Sequence, residues 1–345
     1  MAKQILKQSV GLDVSKDTIA ACFSQQEIGN QFKILSSKTF TSSASGFRQM
    51  HGWISHFHQQ GIPLHLLMEA TGVYYEEAAY FLFGKGIRVT VLLPNKTNAF
   101  AKSLEYKSKT DKIDAKKLAQ MSLERNLPKW EPCSAKMLTI KRLCRERAEV
   151  LDAKNVAENR LHAKKYSHEP EKSSLKRSLQ LIKFYKNQVK EIEAAIEAAI
   201  AADPQIKERM DKACTIPGVA MITAATVVSE ANGFTLFKNK AQLVSYAGYD
   251  IVQNQSGTSI QSPTKISKKG NYRIRKALHF PALVAIKYVP ELKDIYLRIF
   301  DRTKIKMKAS VAVQRKLLVL IYTLYKDNQT FDPAFKSVKK PDGFA

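Results

Sequence analysis

Short apolar runs, separated by amphipathic segments, fill the first part of the chain and limit the folds it can adopt. Three strand-like runs come first, and then helix and strand alternate. The predicted strands lie at 10–15, 18–23, 33–41, 65–70 and 88–93, and the predicted helices between them at 47–58 and 74–83. This order implies a mixed α/β sheet with helices on its faces.

The middle of the chain has a different character. Residues 135–166 contain neither Gly nor Pro, and 173–202 resume this pattern after a break at 167–170, which predicts a long helical hairpin. Apolar residues recur along the second arm at alternating steps of three and four, a seam suited to a coiled coil. They are Ile182, Tyr185, Val189, Ile192, Ile196 and Ile200. The seam could pack the two arms on each other or dimerise the protein.

The last region is predicted to be mainly helical. Residues 214–228 have the form of a helix-hairpin-helix, in which the turn at Gly218 would expose backbone N–H groups to a phosphate without reading bases. A plain packed hairpin is the alternative. We expect three domains, at 1–128, 129–204 and 205–345.

The chain is strongly basic. Its 345 residues include 56 Lys and Arg against 31 Asp and Glu, a net charge of +25, which indicates a polyanionic partner. No apolar run is long enough to span a bilayer, and the N-terminus lacks a signal-peptide pattern, so we expect no membrane association. The four cysteines form no C-x-x-C pair, which argues against a zinc site or disulfides. We expect a soluble, cytoplasmic protein, associated with the nucleoid when it is bound.

Four carboxylates occupy positions that require an explanation. Asp13 interrupts an apolar strand and Glu69 ends one, where an unpaired carboxylate is costly. Asp111 and Asp114 stand at the head of a predicted helix, on one face of it. Two such charges about 4 Å apart repel by roughly 4 kcal/mol at an effective dielectric of about 20. A divalent cation would offset this. A turn cap for Asp13 and lysine partners for the others are the alternatives.

The motifs around these acids resemble those of a known family. Residues 11–16 (GLDVSK), 68–72 (MEATG) and 109–115 (KTDKIDA) look like the motifs of the DEDD transposases of bacterial insertion sequences. That family includes Piv-like DNA invertases and bridge-RNA-guided recombinases, and the resemblance extends from about Gly11 to about Tyr325. It implies that Asp13, Glu69, Asp111 and Asp114 form the Mg²⁺-binding tetrad of a RuvC-like, ribonuclease-H-type domain.

A serine motif lies in the last region, at 255–259 (QSGTS), and by itself it is an ordinary turn. A dense group of basic residues, here called the basic cluster, follows it: Lys265, Lys268, Lys269, Arg273, Arg275 and Lys276. Such charges, with a divalent ion, could activate a serine and balance the charge of the phosphate it attacks. The family resemblance implies that Ser256 is the nucleophile, with Ser259 as the fallback. We expect the basic cluster and Gly218 to bind nucleic acid.

These features together suggest a site-specific DNA recombinase, the transposase of an insertion sequence. The resemblance implies that Ser256 attacks a DNA phosphate and forms a covalent protein–DNA link, assisted by Mg²⁺ on the tetrad. It also implies a homo-oligomer, a dimer or a tetramer, in which different subunits can contribute the acidic and serine domains to one composite site. The expected partners are DNA, at the element ends and the target, and a structured guide RNA.

Three other functions fit parts of the sequence. A metal-dependent nuclease of the Holliday-junction-resolvase type would need the tetrad but no covalent serine intermediate. A non-catalytic nucleic-acid-binding protein is disfavoured because all four acids are intact. An actin-like ATPase or sugar kinase could begin with Gly11-Leu12-Asp13, but no Gly-rich phosphate loop follows and the net charge of +25 suits nucleic acid better.

Overall fold

The computed structural model describes residues 4–29, 31–104, 108, 110–253, 255–256, 260–261 and 264–333. The chain divides into two compact units, 1–132 and 133–345, here called unit 1 and unit 2. The helical hairpin, predicted as a separate domain at 129–204, belongs to unit 2 together with the C-terminal helices. The division into three domains stays a prediction.

Unit 1 is built on one five-stranded sheet, with strand order β3-β2-β1-β4-β5. The three opening strands pair antiparallel, whereas β4 runs parallel to both β1 and β5. The strands are β1 (Ile5–Val14), β2 (Thr18–Glu27), β3 (Gln31–Thr41), β4 (Leu64–Glu69) and β5 (Arg88–Leu92). This five-stranded mixed sheet with its helices confirms the mixed α/β fold predicted for the first part of the chain.

Four helices accompany the sheet, and they are α1 (Ala44–Phe57), α2 (Tyr75–Gly84), α3 (Pro94–Ala101) and α4 (Asp111–Glu124). Val10 and Leu12 of β1 are fully buried in a core shared with α1 and α2. Because side chains alternate along a strand, Gly11 faces the other way. A Cβ on Gly11 would lie 2.0 Å from the Ala115 carbonyl oxygen of α4. The absence of a side chain at Gly11 therefore lets α4 lie directly on β1.

Unit 2 is mainly helical, as predicted. Its helices are α5 (Ala135–Lys165), α6 (Lys172–Ala201), α7 (Pro204–Ala213), α8 (Met221–Glu230), α9 (Lys240–Tyr246), α10 (Tyr272–Ala277), α11 (His279–Tyr288), α12 (Pro290–Thr303) and α13 (Lys306–Asp327). Between α9 and α10 the strands β6 (Ile251–Val252) and β9 (Lys265–Ile266) form a small ribbon, and β7 (Gln255–Ser256) pairs with β8 (Ile260–Gln261).

No helix in the described part of the chain is both long and apolar enough to cross a membrane. The apolar helix α13 is a core element, as its sequence predicts. Its residues Val313, Leu317 and Ile321 are fully buried in the large hydrophobic core of unit 2.

The apolar seam of α6 is covered by the protein's own helices. Ile182 packs with Ala157 and Leu161 of α5 in a small cluster towards the tip of the hairpin. Ile192 and Ile196, nearer the base, belong to the large core of unit 2 together with residues of α5. The packing of the two arms on each other therefore accounts for the seam. Dimerisation through it stays a prediction.

The turn between α7 and α8 is packed against α11. Gly218 has φ +93°, a left-handed conformation that favours glycine. A Cβ at this position would lie 2.7 Å from the Pro281 carbonyl oxygen and 2.9 Å from Cβ of Val284. This close approach gives Gly218 a packing role, and its contact with a phosphate stays a prediction.

Candidate active site and the basic cluster

The structure brings the four predicted carboxylates of unit 1 to one pocket. Asp13 and Glu69 lie at the ends of β1 and β4, which are parallel neighbours with Leu12 opposite Met68, so both strands end at the same sheet edge. Asp111 and Asp114 lie in the first turn of α4, which packs on β1. All four line a cavity of about 640 Å³.

The start of α4 fixes the position of its two acids. Thr110 caps the helix, and its hydroxyl accepts a hydrogen bond from the backbone N–H of Ile113 at 3.3 Å. Carboxylates in a first helical turn are stabilised by the helix dipole. Asp114 also forms an ion pair of 2.9 Å with Lys117, which is 13% exposed. The lysine partner considered from the sequence is therefore present for Asp114.

Two threonines orient Glu69. Its Oε1 accepts a hydrogen bond of 3.1 Å from the Thr71 hydroxyl, and its Oε2 accepts one from the Thr97 hydroxyl on α3. Neither threonine is among the site residues predicted from the sequence. Thr71 could have been found because it lies within the motif at 68–72. Thr97 lies 28 residues from Glu69 and carries no signal in the sequence.

The donors of this pocket suit a hard divalent cation, because all four predicted ligands are carboxylates. Within the described ranges, however, no three acidic, histidine or cysteine side chains converge closely enough to form a metal-binding group. Glu69 is turned towards its two threonines and Asp114 towards Lys117. The oxygen donors of the pocket therefore suit a divalent cation, while Glu69 and Asp114 are directed to these hydrogen-bond partners.

The predicted nucleophile lies in unit 2, in the hairpin of β7 and β8. The backbone of Ser256 pairs with that of Ile260. This hairpin is inserted between β6 and β9, where Ile251 lies opposite Ile266. Ser259 and Lys109 fall outside the described residues.

The buried carboxylate of Glu230 lies beside the basic cluster. Glu230, with a side chain 1% exposed, accepts hydrogen bonds from Arg145 Nε at 2.6 Å and from the Arg145 terminal guanidinium nitrogen at 2.9 Å. It accepts a third, of 2.8 Å, from Asn271 Nδ2, and Arg273 Nε lies 3.8 Å away. Burial acts to raise the pKa of Glu230, but Arg145, Lys141 and Asn271 outweigh it and hold this pKa below its usual value.

The remaining members of the basic cluster divide into two groups. Arg275 donates a hydrogen bond of 2.7 Å to the Ala247 carbonyl oxygen, and Lys276 contacts both carboxylate oxygens of Asp152 at 2.6 Å. The second group, Lys265, Lys268 and Lys269, is exposed. The arginines and Lys276 therefore have partners within unit 2, and the three exposed lysines are the members open to an external anion.

A set of oxygen donors at a sheet edge, in a chain of net charge +25, indicates an enzyme that acts on nucleic-acid phosphates. Comparison with known families identifies which enzymes these are. Residues 10–164 match the DEDD transposase family and residues 210–297 match the family described as Transposase IS116/IS110/IS902. The chain belongs to the DEDD transposase family of bacterial insertion sequences. It is a DNA recombinase, an enzyme that cleaves and rejoins DNA.

Individual relatives agree with this assignment. The chain is 28% identical over 332 residues to the pilin gene-inverting protein of Moraxella bovis, which covers 94% of this chain and 98% of that protein. The pilin gene-inverting protein of Moraxella lacunata is similar to the same degree. Among solved structures, T. thermophilus RuvC in complex with a Holliday junction substrate is 12% identical and covers 33% of this chain and 90% of its own, with a TM-score of 0.26.

Proposed function

We propose that the protein is a site-specific recombinase of an insertion sequence that uses a serine nucleophile and a carboxylate-bound metal. Ser256 is the nucleophile, and Asp13, Glu69, Asp111 and Asp114 hold Mg²⁺. The observation that carries this proposal is that four acids from three separate elements line one pocket. The basic cluster, with its exposed lysines at 265, 268 and 269, supports DNA binding in the unit that contains Ser256.

The reaction is a phosphoryl transfer. The Ser256 hydroxyl oxygen bonds to the phosphorus of a DNA phosphodiester while its proton passes to a base. The bond from phosphorus to one strand oxygen then breaks, and that oxygen takes up a proton. The covalent serine–DNA ester keeps a phosphodiester that the hydroxyl of another strand can attack to rejoin the DNA. Mg²⁺, when bound, balances the charge that develops on the phosphate.

The residues around the pocket orient and stabilise the proposed metal ligands. Thr71 and Thr97 orient Glu69 as a ligand. Lys117 holds Asp114 and moderates the repulsion between the two acids of α4. The exposed lysines of unit 2 attract the sugar–phosphate backbone without reading its sequence.

We also propose that sequence recognition resides in a structured guide RNA and that the enzyme acts as a homo-oligomer, a dimer or a tetramer, at element ends and target DNA. The net charge of +25 supports a large polyanionic ligand. Base pairing by an RNA would supply specificity that phosphate-directed lysines lack.

Adduct trapping tests the proposal. Labelled element-end DNA, guide RNA and Mg²⁺ are incubated with the protein, and the products are separated on a denaturing gel. A covalent adduct is expected for the wild type and for Ser245→Ala, a control at an exposed serine of α9. Ser256→Ala should abolish the adduct and Ser259→Ala should retain it.

The same gel tests the tetrad. Asp111→Asn should abolish cleavage, whereas Asp294→Asn, at an exposed position of α12, should not. The carboxylate pocket lies entirely within unit 1, which favours a metal-dependent nuclease as the second candidate function. Cleavage without an adduct, abolished by Asp111→Asn and unaffected by Ser256→Ala, would contradict the serine mechanism and establish the nuclease.

A further inference from the structure

A second large cavity lies in unit 2, partly lined by residues of the basic cluster. Its volume is about 740 Å³, within the range of about 300–1,000 Å³ typical of ligand pockets. Residues of the β6–β9 ribbon, of α10 and α11, and of the junction between α12 and α13 line it.

The rim of this cavity is cationic. Lys265, Lys268, Arg275 and Lys276 of the basic cluster contribute to it, and Arg302, Lys308 and Arg315 join them from α12 and α13. None of the described residues that line the cavity is acidic. Lys276 is paired with Asp152, so the other six carry the positive charge of the rim. A ligand that enters this cavity therefore bears negative charge.

Several apolar side chains that line the same cavity are exposed. Phe280 is 73% exposed and Met307 is 58% exposed. Ile251, from the ribbon, is 62% exposed. An exposed aromatic ring beside flexible apolar side chains offers a flat surface on which a planar ring can stack. A simple phosphate or sulfate would leave this surface unused.

A chain of polar groups lines one wall. The Tyr249 hydroxyl donates a hydrogen bond of 3.0 Å to Gln314 Oε1, and Gln314 Nε2 lies 3.3 Å from Nδ1 of His279. His279 also lines the cavity, so its imidazole ring offers a polar group that can form a hydrogen bond with a carbonyl or ring nitrogen of a base.

We propose that this cavity binds a single unpaired nucleotide of a nucleic acid strand, with its base against Phe280 and its phosphates between the rim cations. The proposal rests on the proposed function in that the ligand is a nucleic acid, and it specifies a nucleotide removed from pairing. Base stacking on an aromatic ring combined with basic side chains along the backbone is the usual means of binding single strands.

The cavity and the predicted nucleophile are connected along the chain. Ile251, Lys265 and Ile266 belong to the ribbon into which the β7–β8 hairpin, with Ser256, is inserted. A nucleotide bound in the cavity therefore lies at the foot of the segment that contains Ser256. Binding of one extruded base there would anchor the strand next to this ribbon and set its register.

The test compares two labelled strands of equal length, an oligothymidylate and an abasic strand that has the same phosphates without bases. Fluorescence anisotropy with the full-length protein should show about tenfold tighter binding of the oligothymidylate, the magnitude of one stacked base. Phe280→Ala should remove this preference and leave the affinity for the abasic strand unchanged. Phe280→Trp should retain the preference.

Two further variants test whether the effect is specific to Phe280 and whether the cations contact phosphates. Phe184→Ala makes the same change at a ring that is 56% exposed on the helical hairpin, and it should alter neither affinity. Arg302→Ala should weaken the binding of both strands equally and reduce the salt dependence of that binding, because it removes a phosphate contact. Equal affinity of the wild type for the two strands, or a Phe280→Ala effect shared by both, would overturn the proposal and point to an acidic peptide.

This assay separates the inference from the proposed function, since it measures binding and requires no cleavage. If the wild type shows no base preference but still forms the covalent adduct, the nucleotide pocket alone is refuted. A base preference that depends on Phe280, together with DNA cleavage that proceeds without an adduct, would support the pocket and refute the serine mechanism.

Discussion

The hydroxyl of Thr97, on α3, donates a hydrogen bond to the carboxylate of Glu69 at the end of β4. Thr97 is 5% exposed, so the surrounding packing restrains it and it can hold Glu69, which lines the carboxylate pocket, in one orientation. The geometry makes Thr97 a positioning residue, because it would act on the proposed metal site through Glu69.

Thr97→Val should slow DNA cleavage about tenfold, since a hydrogen bond to a charged group contributes roughly 1.5–3 kcal/mol. Thr97→Ser keeps the hydroxyl and should restore most of the rate. The discriminating measurement is cleavage rate against Mg²⁺ concentration, in which Thr97→Val should require more Mg²⁺ while its affinity for DNA stays unchanged. A fall in DNA affinity without a shift in the Mg²⁺ requirement would contradict a positioning role.

Gly11→Ala should destabilise unit 1 by about 3 kcal/mol, because overpacking of a close contact costs about 1–3 kcal/mol and here the contact is with backbone. Both tryptophans of the chain, Trp53 and Trp130, lie in unit 1, so tryptophan fluorescence during urea unfolding reports on that unit alone.

Gly52→Ala is the matched control for Gly11→Ala. Gly52 lies within α1 and a Cβ there meets nothing within 4 Å. Its substitution should raise the unfolding midpoint slightly, since alanine favours a helix by about 1 kcal/mol over glycine. A Gly11→Ala midpoint equal to that of the wild type would show that α4 does not need this close approach.

Glu230→Gln should destabilise unit 2 by about 2 kcal/mol. Removal of one partner of a buried ion pair costs about 3–5 kcal/mol, and the value is reduced here because Arg145 is 35% exposed and retains access to water. Thermal unfolding followed by circular dichroism measures the change. Glu208→Gln breaks a solvent-exposed pair with Lys212 and should change stability much less than Glu230→Gln does. Equal effects of the two substitutions would contradict the special role of Glu230.

His65 makes the stability of unit 1 depend on pH. Burial, with Lys7 and Arg88 nearby, lowers the pKa of His65 from 6.5 to about 4. Between these values the unfolded chain binds a proton that the folded chain does not, so the free energy of unfolding rises as pH increases from about 4 to 6.5. This contribution is complete above pH 6.5 and is lost as the pH falls.

Urea unfolding by tryptophan fluorescence at several pH values measures this effect. His65→Gln should flatten the pH dependence in the acidic range. His168→Gln, at a residue exposed on the hairpin, is the control and should leave the wild-type profile unchanged. Identical profiles for the wild type and His65→Gln would show that other groups carry the acid sensitivity.

The sequence was sufficient for the sheet and for the placement of the four acids around one pocket. Short apolar runs define the strands, and Asp13 and Glu69 lie at one edge because the neighbouring parallel strands β1 and β4 both end there. Asp111 and Asp114 share a helical turn, so local geometry places them together.

Other features depend on tertiary packing that no local pattern encodes. Thr97, on helix α3, hydrogen-bonds Glu69 at the end of strand β4, and Glu230 binds Arg145 and Asn271, which lie far apart in the chain. The α6 seam has the same periodicity whether it pairs with α5 or with another subunit. The wall formed by Tyr249, Gln314 and His279 joins three separate elements, and its residues carry no motif.

The helical hairpin is anchored in the core of unit 2 at one end only. Its arms of 31 and 30 residues extend about 45 Å at about 1.5 Å per residue. At the base, Ile196 and Ile200 are locked into the main core, whereas the outer part relies on the small cluster around Ile182. We therefore expect fraying to concentrate at the tip of the hairpin, where amide hydrogens should exchange faster than at its base.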